Sequence, residues 1–194
     1  MILMACRKSI ALFFCFLAFG HASIARAASE IQNIVLLPVR YQLVSEDIGK
    51  LKYGWACLPG GKVTWGKLSR PDQDQIHDRL ERDLAAVGVR ATPQRGEPWN
   101  VALQDANFLR TTVLDVHMDI CAPYMNIGEM KVKGKGAITV RWELLDGAGN
   151  VIKNEVRQSD IDLMRRDPRV ESGVLLDVIA QSAVGFLRSY RNMD

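Results

Sequence analysis

The clearest alternation of apolar and polar residues runs from Asn107 to Asp160. Leu114, Val116, Met118 and Ile120 alternate with Asp115, His117, Asp119 and Cys121. Further on, Ile138, Val140, Trp142 and Leu144 alternate with Thr139, Arg141 and Glu143. A period of two sends apolar side chains to one face of a sheet and polar ones to the other. The spacing predicts two strands of one sheet whose apolar face needs a cover. Asp146-Gly147-Ala148-Gly149-Asn150 predicts a hairpin turn into Val151-Ile152, because glycine and asparagine supply positive φ at such points.

Two helical periodicities supply the cover. Ile76, Leu80, Leu84 and Val87 fall on one face of a helix that Ser69, Asp72 and Pro71 are expected to open and Gly88 to close. Val174, Leu175, Val178, Ile179, Phe186 and Leu187 form a second stripe, with Asp167-Pro168 as its expected start and Arg188 and Arg191 near its end. The fold class expected is α+β: a mixed, mostly antiparallel sheet of about four strands with two helices packed on one face.

The other segments carry weaker patterns. Ile31 to Val39 reads as a short buried strand ended by Pro38, and Val89 to Thr92 as a short extended piece. Arg40 to Leu68 reads as a long loop with a turn at Leu58-Pro59-Gly60-Gly61. Its Tyr53, Trp55 and Trp65 are expected to pack the loop onto the core, with a ligand or partner surface as the second reading. Residues between Cys121 and Ala137 read as a solvated loop carrying Lys131, Lys133 and Lys135.

The N-terminus changes the picture of where the chain works. Arg7 and Lys8 precede an apolar run from Ile10 to Leu17, and Ala25-Arg26-Ala27 fits a small-x-small cleavage site. The run is shorter than the roughly 20 residues a membrane span needs. Neither Cys6 nor Cys15 has the setting of a lipid acceptor. Residues 1–27 are therefore expected to be a signal peptide and residues 28–194 a single periplasmic or secreted domain, with no stable membrane insertion after cleavage. The whole chain has 25 Lys+Arg against 22 Asp+Glu, and the expected signal carries three of the basic residues and no acid. The mature chain is then balanced, which argues against a nucleic-acid partner, since that needs a clustered basic face.

Two cysteines remain after cleavage, Cys57 and Cys121. In an exported chain such a pair reads as a disulfide, with two buried thiols as the alternative. Closing a loop of that length contributes about 4 kcal/mol in the chain-entropy picture.

Catalytic groups are sparse, and the sequence carries no His-Glu-x-x-His, Gly-x-Ser-x-Gly or phosphate-loop motif. His77 follows Ile76 on a charged helix and is expected to be solvated. Asp115, His117 and Asp119 share one strand face and are the weak candidate for a metal. Ligands along a straight strand diverge, whereas zinc needs three or four converging on it. A nucleophilic Cys121 beside His117 is ruled against by the expected bridge. No catalytic residue, cofactor or metal is assigned, and the chain reads as a non-enzyme.

The order strand, helix, strand, strand-turn-strand, helix resembles the small α+β N-terminal domain of the periplasmic protein TolB and related envelope accessory domains. The stretches that carry the resemblance are Ile34-Val35-Leu36-Leu37-Pro38-Val39, Leu84-Ala85-Ala86-Val87-Gly88-Val89 and Val140 through Ile152. The Cys57 segment departs from that pattern, and no β-propeller follows. The resemblance implies a non-enzymatic role through binding another envelope protein. The alternative is a small-molecule or metal-binding periplasmic protein.

Overall fold

The computed structural model describes residues 31–54, 56–65, 72–94, 106–122, 133–163 and 171–191. Among them the elements follow as β1 (Asn33–Leu36), β2 (Arg40–Tyr41), β3 (Asp47–Tyr53), β4 (Leu58–Thr64), α1 (Gln73–Ala85), β5 (Arg90–Pro93), β6 (Asn107–Ala122), β7 (Lys133–Leu145), β8 (Val151–Asp162) and α2 (Glu171–Arg191). The expected signal peptide lies outside the described residues.

Everything is arranged about β6. Along one edge it pairs in parallel with three short strands set end to end. Ile34–Leu36 of β1 lie against Asn107–Leu109, Arg40–Tyr41 of β2 against Thr112–Val113, and Gly49–Tyr53 of β3 against Met118–Ala122. Along its other edge β6 pairs antiparallel with β7 from Phe108↔Leu145 to Cys121↔Lys133, and β7 pairs antiparallel with β8. β5 extends the sheet from β1, and β4 from β3. The class is α+β as expected, but the sheet has eight strands rather than about four.

Most of the missing strands come from the segment read as a loop. β3 and β4 form an edge hairpin whose outward residues are lysine and glycine, so no clean alternation marks it. Leu58-Pro59-Gly60-Gly61 is strand, not turn. The chain reverses earlier, where Gly54 takes φ +79° and the Cys57 N–H donates to Gly54 O at 3.1 Å. Gly49 is required by close approach: a Cβ there would lie 1.8 Å from the Met118 carbonyl oxygen. Lys133 and Lys135 also leave their expected loop and open β7, while Lys131 lies outside the described residues.

Both helices cover the same face. Leu109, Val113, Val116, Met118 and Ile120 of β6 and Ile138, Val140, Trp142 and Leu144 of β7 are buried against Ile76, Leu80 and Leu84 of α1 and Val174, Leu175, Ile179, Phe186 and Leu187 of α2. Leu114 is a correction. The register slips between Val113 and Asp115, and Leu114 is the extra, half-buried residue of a bulge. Before it odd-numbered residues point inward; after it even-numbered ones do.

α1 begins at Gln73 with Asp72 extended before it and no side-chain cap bond. Ser69, Pro71, Asp167 and Pro168 lie outside the described residues. The Gln73 side chain instead clamps the connection between β1 and β2: Val39 N–H donates to its Oε1 at 2.9 Å and its Nε2 donates to Val39 O at 2.8 Å. Gly88 takes φ +77°, and Val89 N–H closes onto Leu84 O at 3.0 Å. His77 is buried, not solvated, at 6 % exposure, with Nε2 3.3 Å from Leu37 O. It sits beside Ile76 on the edge of the buried stripe, where the helix meets the strand ends. Arg79 of α1 pairs with Asp177 of α2 at 3.1 Å. In the core, the Trp142 indole N–H donates to Ser182 Oγ at 2.9 Å.

Candidate functional site

The face of the sheet turned away from the helices holds the polar side chains that the alternation singled out. The bulge at Leu114 keeps Arg110 and Thr112 before it, and Asp115, His117, Asp119 and Cys121 after it, on this one side. Register then builds rows across the strands. Lys52, Cys121 and Lys133 form one; Lys50, Asp119, Lys135 and Asp162 the next; His117, Ala137 and Asp160 a third; Asp115, Thr139 and Gln158 a fourth. Thr112, Arg141 and Val156, then Arg110, Glu143 and Asn154, complete the pavement. At its far end the face turns apolar, where Val35, Phe108 and Leu145 form a second small buried cluster. Cross-strand neighbours on such a face interact directly, and Arg110 meets Glu143 at 3.4 Å.

Asp115, His117 and Asp119 do share this face. They run along the strand rather than converging: His117 Nε2 lies 3.7 Å from Asp119 Oδ1, and Asp115 sits one step further down. Among the described residues no group of three or more histidine, cysteine, aspartate or glutamate side chains is placed to hold a metal ion.

Cys57 and Cys121 are bonded, with their Cα atoms 5.4 Å apart. The bridge ties the β3–β4 turn to the end of β6. Beside it lies a shallow hollow of about 380 Å³ lined by Lys52, Asp119, Ile120, Lys133, Gly134, Lys135 and the two cysteines. The sequence marks Lys133 and Lys135 but reads them as part of a solvated loop; Lys52 joins them only once β3 is paired with β6.

Tyr53 and Trp65 lie at opposite ends of the β3–β4 hairpin. Trp65 is buried at 4 % exposure and its ring tilts against Tyr41 with centroids 5.4 Å apart, so it belongs to the core and not to a surface. Tyr53 is half-buried and lies so close over Gly60 that a Cβ there would sit 2.0 Å from its ring. Trp55 lies outside the described residues.

Among the described residues two titrating groups depart from their ordinary behaviour, both at turns or edges. The Asp146 carboxyl is held below its usual range, chiefly because the Asn150 side chain donates to it at 3.0 Å, with the Asn150 and Ala148 backbone N–H groups adding 2.8 and 3.0 Å bonds. The Lys62 ammonium is held above its usual range by its hydrogen bond to, and the charge of, Asp47 across the β3–β4 hairpin. No described helix is long and apolar enough to cross a membrane.

No protein-family model matches the chain, and no curated protein matches it. Among solved structures it is similar in arrangement to protein XCC0632 from Xanthomonas campestris, of the DUF330 family, at 11 % identity and TM-score 0.46, covering 84 % of this chain and 87 % of that one. It is similar also to a minor lipoprotein from Acinetobacter baumannii, at 16 % identity and TM-score 0.39 over 84 % and 92 % of the two chains. Lipoprotein GNA1162 from Neisseria meningitidis matches at 11 % identity and TM-score 0.37, over 78 % and 97 %. None of the three is named as a TolB domain, and likeness at this level assigns neither family nor activity.

Proposed function

We propose that the mature chain is a non-enzymatic protein of the bacterial envelope that works by docking another protein, and that the uncovered sheet face is where it docks. The observation that carries this reading is the division of the sheet. Both helices cover one face, and the other is a broad pavement of polar and charged side chains from β3, β6, β7 and β8 held rigid by four-strand register. Polar surfaces with charges of both signs select partners by complementarity more than by raw affinity. One of the two histidines of the mature chain and both of its cysteines have structural roles. His77 is buried against Leu37, and both cysteines of the mature chain are in the bridge. A disulfide and a leader of secretory pattern both fit an oxidising compartment.

The experiment is a capture from envelope extract with the wild-type chain and with Arg141→Glu, which reverses a charge in the middle of the face without touching the core. A protein retained by the wild type and lost by the variant supports the reading. Capture of nothing, beside hydrolytic turnover by the purified chain, overturns it. A second reading, binding of a small anion, rests on the three lysines around the hollow beside the Cys57–Cys121 bridge. Thermal stabilisation by anionic metabolites that Lys133→Ala removes would favour it.

A further inference from the structure

Strand β8 is twelve residues long, and among the described residues it pairs with β7 alone. Leu163 N–H donates to Gly134 O at 2.9 Å, and the register from Lys135↔Asp162 to Leu144↔Lys153 is unbroken. In an antiparallel ladder hydrogen-bonded pairs alternate with non-bonded ones. The odd-numbered residues of β8 therefore exchange bonds with β7. The N–H and C=O groups of Asn154, Val156, Gln158 and Asp160 point to the open edge, while Ile152 is the extra residue where the register slips. The same four side chains lie on the uncovered face, with Val156 55 % exposed.

Long edge strands are normally guarded by proline, by a bulge or by outward lysine. From residue 153 to residue 162 β8 has none of the three on that side. Asp160 and Asp162 lie on that side near its end, while Lys153, Glu155 and Arg157 point the other way and are tied down. Lys153 donates to Ser189 Oγ at 2.8 Å and lies over the Phe186 and Tyr190 rings. Arg157 meets Glu155 at 2.7 Å and fits against Gly185, where a Cβ would lie 2.4 Å from its Nη1.

We propose that this edge pairs with the β8 edge of a second copy, antiparallel, on a two-fold axis through Val156. A residue whose backbone faces the edge can sit on such an axis and exchange both bonds with its own mate. The sequence is self-complementary about that point. Asn154 falls opposite Gln158, Lys153 opposite Ser159 and Val151 opposite Ile161, while Glu155 falls opposite Arg157 twice. No like charges meet. An axis through Glu155 or Arg157 would set identical charges face to face, which destabilises a pair. An axis through Asn154 would pair only the first half of the strand and would need Lys153, which is held under α2. The dimer joins two sheets into one continuous sheet across β7–β8–β8–β7. This inference is independent of the heterologous docking proposed above, which uses the face and not the edge.

Sedimentation equilibrium on the purified chain from low to high micromolar concentration tests it. The wild type is expected to show a concentration-dependent dimer. Val156→Pro removes the N–H on the axis without costing a β7 bond, and Val156→Lys sets two ammonium groups together. Each is expected to weaken association at least about tenfold, with the thermal midpoint and the Cys57–Cys121 bridge retained as the check on folding. Slow hydrogen exchange at the Asn154, Val156 and Gln158 amides should accompany the wild-type dimer and vanish in Val156→Lys. A monomer at every concentration overturns the proposal, and so does a dimer indifferent to both substitutions. Edge amides protected only when envelope extract is added also overturn it, by giving β8 to a different protein.

Discussion

The Trp142 indole N–H and the Ser182 hydroxyl meet in the core between sheet and α2, where no water can replace either. Removing one partner leaves the other buried and unsatisfied, which costs more than the bond itself contributes. Ser182→Ala is expected to lower stability by about 1–3 kcal/mol, read as a shift of the urea midpoint at unchanged slope. A shift near zero would show that the indole finds another acceptor. Asp146 gives a residue-level prediction with a sign. Its folded-state pKa lies below the ordinary 3.8, because Asn150 and its neighbours bind the charged form. The stability it contributes is complete above that ordinary value and is lost as pH falls through the lower folded one. The stability difference between wild type and Asp146→Ala should therefore be constant at neutral pH and shrink below about pH 4. Urea titrations at a series of pH values check this. A difference that grew on acidification would reverse the sign and refute the assignment.

At the scale of elements, the bulge in β6 decides which residues the rest of the molecule sees. Val113 faces inward and Asp115 outward, and they already oppose adjacent residues of β7, so deleting Leu114 takes out the extra residue and leaves every flanking side chain on its own face. The deletion is expected to keep a cooperative unfolding transition, followed by circular dichroism. A deletion that abolishes cooperative unfolding would show that Leu114 is not the extra residue of the ladder. The strands of β6 and β7 are legible in the sequence because one face is buried and the other wet, so Val116, Met118, Ile138 and Val140 alternate cleanly. The bulge is not legible, since Val113 and Leu114 are both apolar and a bulge leaves no residue type behind. β3 and β4 escape notice because their outward lysines and close-packed glycines copy the composition of a loop. β8 shows only its first two residues, since its inward side is filled by Lys153, Glu155 and Arg157 under α2 in place of an apolar stripe.

For the molecule as a whole, the bridge fastens an edge hairpin to the central strand. Replacing Cys57 and Cys121 together by alanine, or reducing them, is expected to cost about 2–5 kcal/mol, measured by denaturant titration with and without reductant. Equal midpoints would show that the hairpin is held by its strand pairing alone. The candidate surface is legible in part. The alternation put Asp115, His117 and Asp119 on one side, but their neighbours Lys50, Lys52, Lys135 and Arg141 come from strands distant in sequence, and no local pattern reports such rows. Trp65 packs into the core as its large apolar surface predicts, but its contact with Tyr41 joins segments that no local pattern links.

The three strands made first share a single docking rail that is synthesised later. β1 can meet β5 and β3 can meet β4 early, but these pieces have no common partner until residues 107–122 have emerged, so they stay unjoined while the middle of the chain is produced. Folding of this kind waits on distant contacts and is slow. Such a delay suits a polypeptide that has to be threaded through a narrow pore before it takes shape, and it makes β6 the piece whose arrival starts assembly.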